Sequence, residues 1–207
     1  MTTTAYAGDR TAARAGTQAL GRALPYVFVL GVCAVLASGY IAQCAGSAHP
    51  CPLGVIQRMG LMLTAIGPAW ILARGVAASR ITASDYTTGF GFAAVAALVS
   101  AAVSAARPDS HRPVPHDSGY GAAFLGLHLH SWALIAFSLA ALVAAGACLA
   151  AGELALEQVR FTGPARTALA VLAAVVAAGV VITFLESGLH WTLPANPSRY
   201  RFFDLFR

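Results

Sequence analysis

The sequence predicts an all-α, polytopic membrane bundle, and three observations carry that prediction. Only 10% of the 207 residues are charged, against about 25% in soluble domains, so the chain lacks the groups that keep a surface wet. Several apolar runs reach the ~20 residues that a helix needs to cross a bilayer. Those runs are rich in Gly, Ala and Ser, which let helix backbones approach closely in lipid. Stripes such as Ala94, Ala97, Ala101 and Ala105 read as packing seams.

Five spans follow from the apolar runs. Residues 1–23 form a Thr/Ala/Arg-rich tail with Arg10, Arg14 and Arg22. A signal peptide could look similar, but the run from Leu24 to Ala42 is too long for its apolar region and no small-residue cleavage site stands out. The first span covers about 24–43 and the second about 54–76, with Pro68 inside it; neighbouring helices can tolerate such a proline. The third covers about 87–106. The fourth, about 123–150, is long enough that it must tilt or begin outside the lipid. The fifth covers about 167–186, so the transmembrane domain is 24–187. The tail 188–207 is too polar and too punctuated by proline to cross again.

Arginine placement sets the expected orientation. All 13 basic residues are arginine. With the N-terminus in the cytoplasm, Arg10, Arg14, Arg22, Arg74, Arg80, Arg160 and Arg166 lie inside, and Arg107, Arg112, Arg199, Arg201 and Arg207 outside. The inner side carries the excess, as the positive-inside rule requires. This places all six histidines, Cys44 and Cys51 at the outer face. The net charge of +5 is spread over termini and loops without a basic block, which excludes nucleic acid as an expected partner. Membrane lipid is the first partner implied.

Arg58 is the residue that raises a functional question. It lies about one turn inside the second span, and a charge there costs ~3 kcal/mol on insertion scales. It can be an interfacial anchor or the polar half of a ligand site. Its context, Cys51-Pro-Leu-Gly-x-x-Gln57-Arg58, resembles the start of the second helix in the disulfide-bond formation protein B (DsbB) family, where C-x-x-C precedes x-x-Q-R. The stretch GYGAAFLGLHLHSWALIAF, Gly119 to Phe137, and the stretch FLESGLHWTLPANPSRY, Phe184 to Tyr200, resemble the fourth-helix and C-terminal segments of one branch of that family. The resemblance implies a DsbB-like four-helix core plus a fifth transmembrane helix. It also implies the bacterial inner (cytoplasmic) membrane, in which the arginine counts put the N-terminus in the cytoplasm and the C-terminus in the periplasm.

The departures are as informative. Family members oxidise a periplasmic thiol partner through two cysteine pairs and pass electrons to quinone. Here Gly54 stands where the second cysteine of C-x-x-C belongs, and Ser187 replaces the first tail cysteine. Thiol exchange needs both an attacking thiolate and a disulfide, so the family's relay cannot run in this chain. Cys33 and Cys148 read as small hydrophobes within spans. Cys44 and Cys51 could close a structural disulfide, form a rewired redox pair, or stay free.

What the family's acceptor site needs is still present. By resemblance, Arg58 binds a quinone, ubiquinone or menaquinone; a guanidinium offers several donors to a quinone carbonyl and stabilises the charge that grows on reduction. Gln57 could orient Arg58 or face another helix. His128 matches the family histidine and could donate or carry protons, or be bonded to a backbone group. Trp132 follows it by four residues and shares its face. Glu186 ends the fifth span and could pair with an arginine, relay protons, or be solvated. No catalytic residue and no metal are assigned: the interiors of four spans offer no histidine for a haem, and His128-x-His130 alone is a weak metal signal. Tyr120 and Trp191 read as interfacial aromatics. The ending RYRFFDLFR reads as an amphipathic surface strip or a docking segment. The expected function is a quinone- or quinol-binding membrane subunit supporting electron transfer for a periplasmic or membrane redox protein. It is not a complete disulfide oxidase on its own. The alternatives are a thiol–disulfide oxidoreductase using Cys44 and Cys51, and a structural subunit without a ligand.

Overall fold

The computed structural model describes residues 3–46, 52–78, 80–106, 129–156, 161 and 163–187. Among these, six helices follow one another: α1 (Thr3–Gly46), α2 (Pro52–Ala77), α3 (Ala83–Ala105), α4 (Leu129–Leu149), α5 (Ala151–Leu154) and α6 (Gly163–Ser187). No strand forms among the described residues, apart from one isolated antiparallel bridge between Ile81 and Leu156. All but α5 are long and apolar enough to cross a membrane, through Arg14–Gln43, Gly54–Ala77, Ala83–Ala105, Ser131–Leu149 and Gly163–Leu185. The chain is an all-α, multi-pass membrane protein.

Three helix starts differ from the expected spans, each for a local reason. α1 begins at Thr3 rather than near residue 24; at 1.5 Å per residue its 44 residues run for about 66 Å, twice the thickness of a hydrocarbon core. The tail's alanines, arginines, glutamine and leucine are good helix formers, so the helix continues where the hydropathy does not. α3 begins at Ala83 rather than 87, because Thr82 and Asp85 form a capping box that satisfies the free N–H groups of the first turn. α6 begins at Gly163 rather than 167, with Pro164 in its first turn, where a missing N–H costs nothing.

α2 is the central helix and packs on α1, α3, α4 and α6. Its span window is 56% buried, against 11% for that of α6, so α6 is a peripheral helix seated on α1 and α2. Small residues set the closest approaches. A Cβ on Gly67 would run into the carbonyl oxygen of Gly89, and a Cβ on Gly60 into the Ser100 hydroxyl. These two points, two turns apart on α2, seat α3 against it. Of the alanine seam expected on α3, Ala97 is buried, Ala94 and Ala101 are half-buried against the core, and Ala105 is exposed at the helix end. Tyr86 and Phe90 stack at 6.1 Å between ring centroids, and Phe28 of α1 meets Phe90 edge-on at 5.7 Å. Flanking the face that meets α3, α2 carries an exposed row, Ile56, Met59, Leu63, Ile66 and Trp70, ending at Arg74.

The bundle end formed by the start of α3 is tied by polar contacts. Ile81 and Leu156 exchange backbone hydrogen bonds of 2.9 Å, and the Phe161 N–H donates to the Gly75 carbonyl at 2.9 Å. The Tyr86 hydroxyl donates to the Gly21 carbonyl, where the helix surface also meets the Leu154 backbone of α5. The spans, their glycine crossings and this knot position the opposite end, where Arg58 lies.

Candidate functional site

Arg58 sits in the second turn of α2, roughly 9 Å along the axis from Pro52. It is half-buried, and its side chain crosses to α1 instead of snorkelling outward. Nη2 donates to Oε1 of Gln43, and the guanidinium carbon lies 5.2 Å from the centre of the Tyr40 ring. Gln43 and Tyr40 are both buried; three residues apart, they share one face of α1. The Tyr40 ring finds room because α6 presents Gly179, where a Cβ would collide with the Tyr40 hydroxyl and with Cε of Met62. Three helices therefore meet around the Tyr40 ring beside this guanidinium. The amide oxygen and the aromatic face orient it. In a poorly solvated place each such contact counts for more than in water.

Gln57 goes elsewhere. One residue along a helix turns the side chain by about 100°, and Gln57 faces α3, where Nε2 donates to the Ser104 hydroxyl at 3.2 Å. Both residues are buried. Of the two roles open to Gln57, it takes the one toward another helix. Beside it, α2 and α3 leave a groove of about 210 Å3 lined by Ile56, Gln57, Met59, Gly60, Leu63, Val99, Ser100 and Val103. Gln57 and Ser100 are its polar side chains, and the Ser100 hydroxyl is engaged with the Ala96 carbonyl at 2.7 Å. The groove can hold an apolar chain or ring with a polar tip near Gln57. Arg58 is not part of its wall.

Trp132 stands half-buried in the first turn of α4, at the same end of the bundle. Glu186 lies in the last turn of α6, two turns past Gly179; its side chain is outside the described residues. His128, Cys51 and the Cys44 side chain are outside them too, as are the tail 188–207 and the other histidine side chains. Cys33 is buried and Cys148 half-buried, both as free thiols. Among the described residues no group of three His, Cys, Asp or Glu side chains could hold a metal ion. The site residues that the sequence reading passed over are Tyr40, Gln43, Ser104 and Gly179. A glutamine in an apolar span carries a detectable signal, because a buried amide needs a partner. The glycine carries none until α6 is docked.

Compared with known proteins, the chain matches no family model, no curated protein and no solved structure.

Proposed function

We propose that the chain is a DsbB-like membrane subunit that binds quinone or quinol at its Arg58 end and supports electron transfer between a redox partner and the quinone pool. The observation that carries this reading is the inward, oriented guanidinium of Arg58, held on Gln43 and Tyr40 at a three-helix junction. Such a group donates to a quinone carbonyl and stabilises the negative charge that grows as the ring takes up two electrons. The chemistry of the residue fits the ligand's ring: a pre-oriented cation faces α1, while the apolar α2–α3 groove lies on a different face of α2. In this reading the electrons come from a partner subunit, because Gly54 and Ser187 stand where the resemblance places relay cysteines. The Arg58 end faces the periplasm of a bacterial inner membrane in this reading, because the arginine-rich opposite end is the cytoplasmic one. His128, Trp132 and Glu186 would complete the site on the strength of the resemblance.

A second reading is favoured by the same contacts. Gln43 and Tyr40 already engage Arg58, so the cluster can serve as a clamp that ties α1 to α2 in a structural subunit. One experiment separates the readings: thermal unfolding of the purified full chain with short-tail ubiquinone and menaquinone analogues. A ligand at 100 times its Kd stabilises by about 2.7 kcal/mol, a rise of roughly 5–10 °C for a chain of this size. Wild type is expected to show that rise and Arg58→Gln to lose it, with the C44S/C51S double variant unchanged. No rise in wild type establishes the clamp reading. A rise lost in C44S/C51S moves the function to thiol chemistry.

A further inference from the structure

The charged side chains that the structure describes are distributed very unevenly. Arg14, Arg22, Arg74, Arg80 and Arg166 are all exposed at the end opposite Arg58, where the described acidic groups are Asp85 and exposed Glu153. Arg74 differs from the other four in being fixed. Its Nη2 donates to Oδ1 of Asp85 at 3.1 Å, while its guanidinium carbon sits 5.4 Å from the centre of the Trp70 ring. The carboxylate is itself immobile: it is 8% exposed, and its Oδ2 accepts from the Thr82 N–H and hydroxyl, each at 2.8 Å. One edge of the fork and one face are thus used. The side chain nevertheless stays 52% exposed, and no other described acceptor reaches its remaining N–H groups.

A snorkelling anchor needs no such clamp. A guanidinium locked on one edge, with the other edge open, is pre-organised for a two-pronged contact to a phosphate. Its position selects the kind of phosphate. Ile66, Trp70 and Arg74 are spaced by four residues and lie one above another on the exposed row of α2. A headgroup on Arg74 therefore continues into acyl chains running along Trp70 and Ile66, with the indole at headgroup depth. The surplus of exposed arginine around it complements an anionic leaflet.

We propose that Arg74, clamped by Asp85 and Trp70 at the α2–α3 junction, is a binding site for the phosphodiester headgroup of an anionic phospholipid. The proposal does not depend on quinone binding and concerns the other end of the bundle. The test uses the purified full chain in lipid nanodiscs. These contain phosphatidylglycerol or phosphatidylcholine with identical acyl chains, and native mass spectrometry counts retained lipid. Wild type should retain phosphatidylglycerol preferentially and unfold at a higher temperature in it. Arg74→Lys keeps a cation beside Asp85 but loses the second prong, so phosphatidylglycerol retention should fall ~tenfold, the order expected for a lost charge-assisted hydrogen bond. Trp70→Leu leaves every charge in place and should weaken retention in the same direction, which keeps the proposal testable if the lysine variant does not fold. Equal retention of the two lipids overturns the proposal, as does a phosphatidylglycerol preference that survives both substitutions. Inorganic phosphate in detergent should leave the unfolding temperature unchanged; a rise equal to that from lipid also overturns it.

Discussion

A buried amide in an apolar helix has to find partners, and Gln57 finds one on α3 in the Ser104 hydroxyl. Interhelical hydrogen bonds inside membrane proteins contribute about 0.6 kcal/mol on average and at most about 1.7. At that size the pair does little for stability; its effect is on register, since sliding α3 by one residue swings Ser104 away from Gln57. A double-mutant cycle of Gln57→Leu and Ser104→Ala, read by unfolding in mixed micelles, should return a coupling in that range. A coupling indistinguishable from zero would mean that the hydrogen bond does not form in lipid. Arg58 is the opposite case, because its value lies in charge and direction. The sequence made the charge visible, since an arginine inside an apolar run is costly and stands out. It did not make the direction visible. Whether Arg58 turned out to the interface or in to Tyr40 depended on Gly179 of α6, more than a hundred residues away, leaving room for the tyrosine ring.

Helix packing turns on whether a glycine faces a backbone or open lipid. Gly67 and Gly89 mark the tightest crossing of α2 and α3, where an added Cβ meets a carbonyl oxygen that no rotamer can move. Gly67→Ala should therefore push the helices apart and cost ~1–3 kcal/mol, as overpacking does. Gly31→Ala on the exposed face of α1 meets nothing within 4 Å; it should be neutral or stabilise by up to ~1 kcal/mol through helix propensity. Unfolding of the two variants side by side checks the contrast, and equal effects would remove the close crossing. The spans were legible because crossing a bilayer demands a long apolar run, which composition cannot hide. The helix starts were less so, because caps and propensity set them, not hydropathy. Thr82-Ala-Ser-Asp85 carries a capping signature that explains the early start of α3, and Pro164 does the same for α6. The continuation of α1 back to Thr3 follows from alanine-rich propensity, which leaves no mark on a hydropathy profile. Nothing in the apolar pattern foretold α5, a single turn whose place is fixed by its contacts with α1 and α3.

Across the whole molecule, polarity is sorted to the two ends, and the ends differ in kind. One is knotted by loop-to-loop backbone bonds, a capping box and the Arg74–Asp85 ion pair. The other closes around a single described cation, Arg58, with Gln43 and Tyr40 against it. In the quinone reading these two ends lie in opposite leaflets. That division requires the five spans to alternate, which puts the early turns of α1 and the last turn of α6 on opposite faces of the membrane. The single-cysteine variants Gln18→Cys and Ser187→Cys, with the native cysteines replaced by serine, test this in oriented vesicles with a membrane-impermeant maleimide. Each variant should label in only one of the inside-out and right-side-out preparations, and the two should label in opposite ones. If right-side-out vesicles label Ser187→Cys and protect Gln18→Cys, the Arg58 end lies outside; the reverse pattern would put it on the cytoplasmic face and separate Arg58 from any periplasmic reductant. Labelling of both positions from one side would mean that one of the five apolar helices does not cross, and α6, with 11% of its window buried, would be the helix to re-examine first.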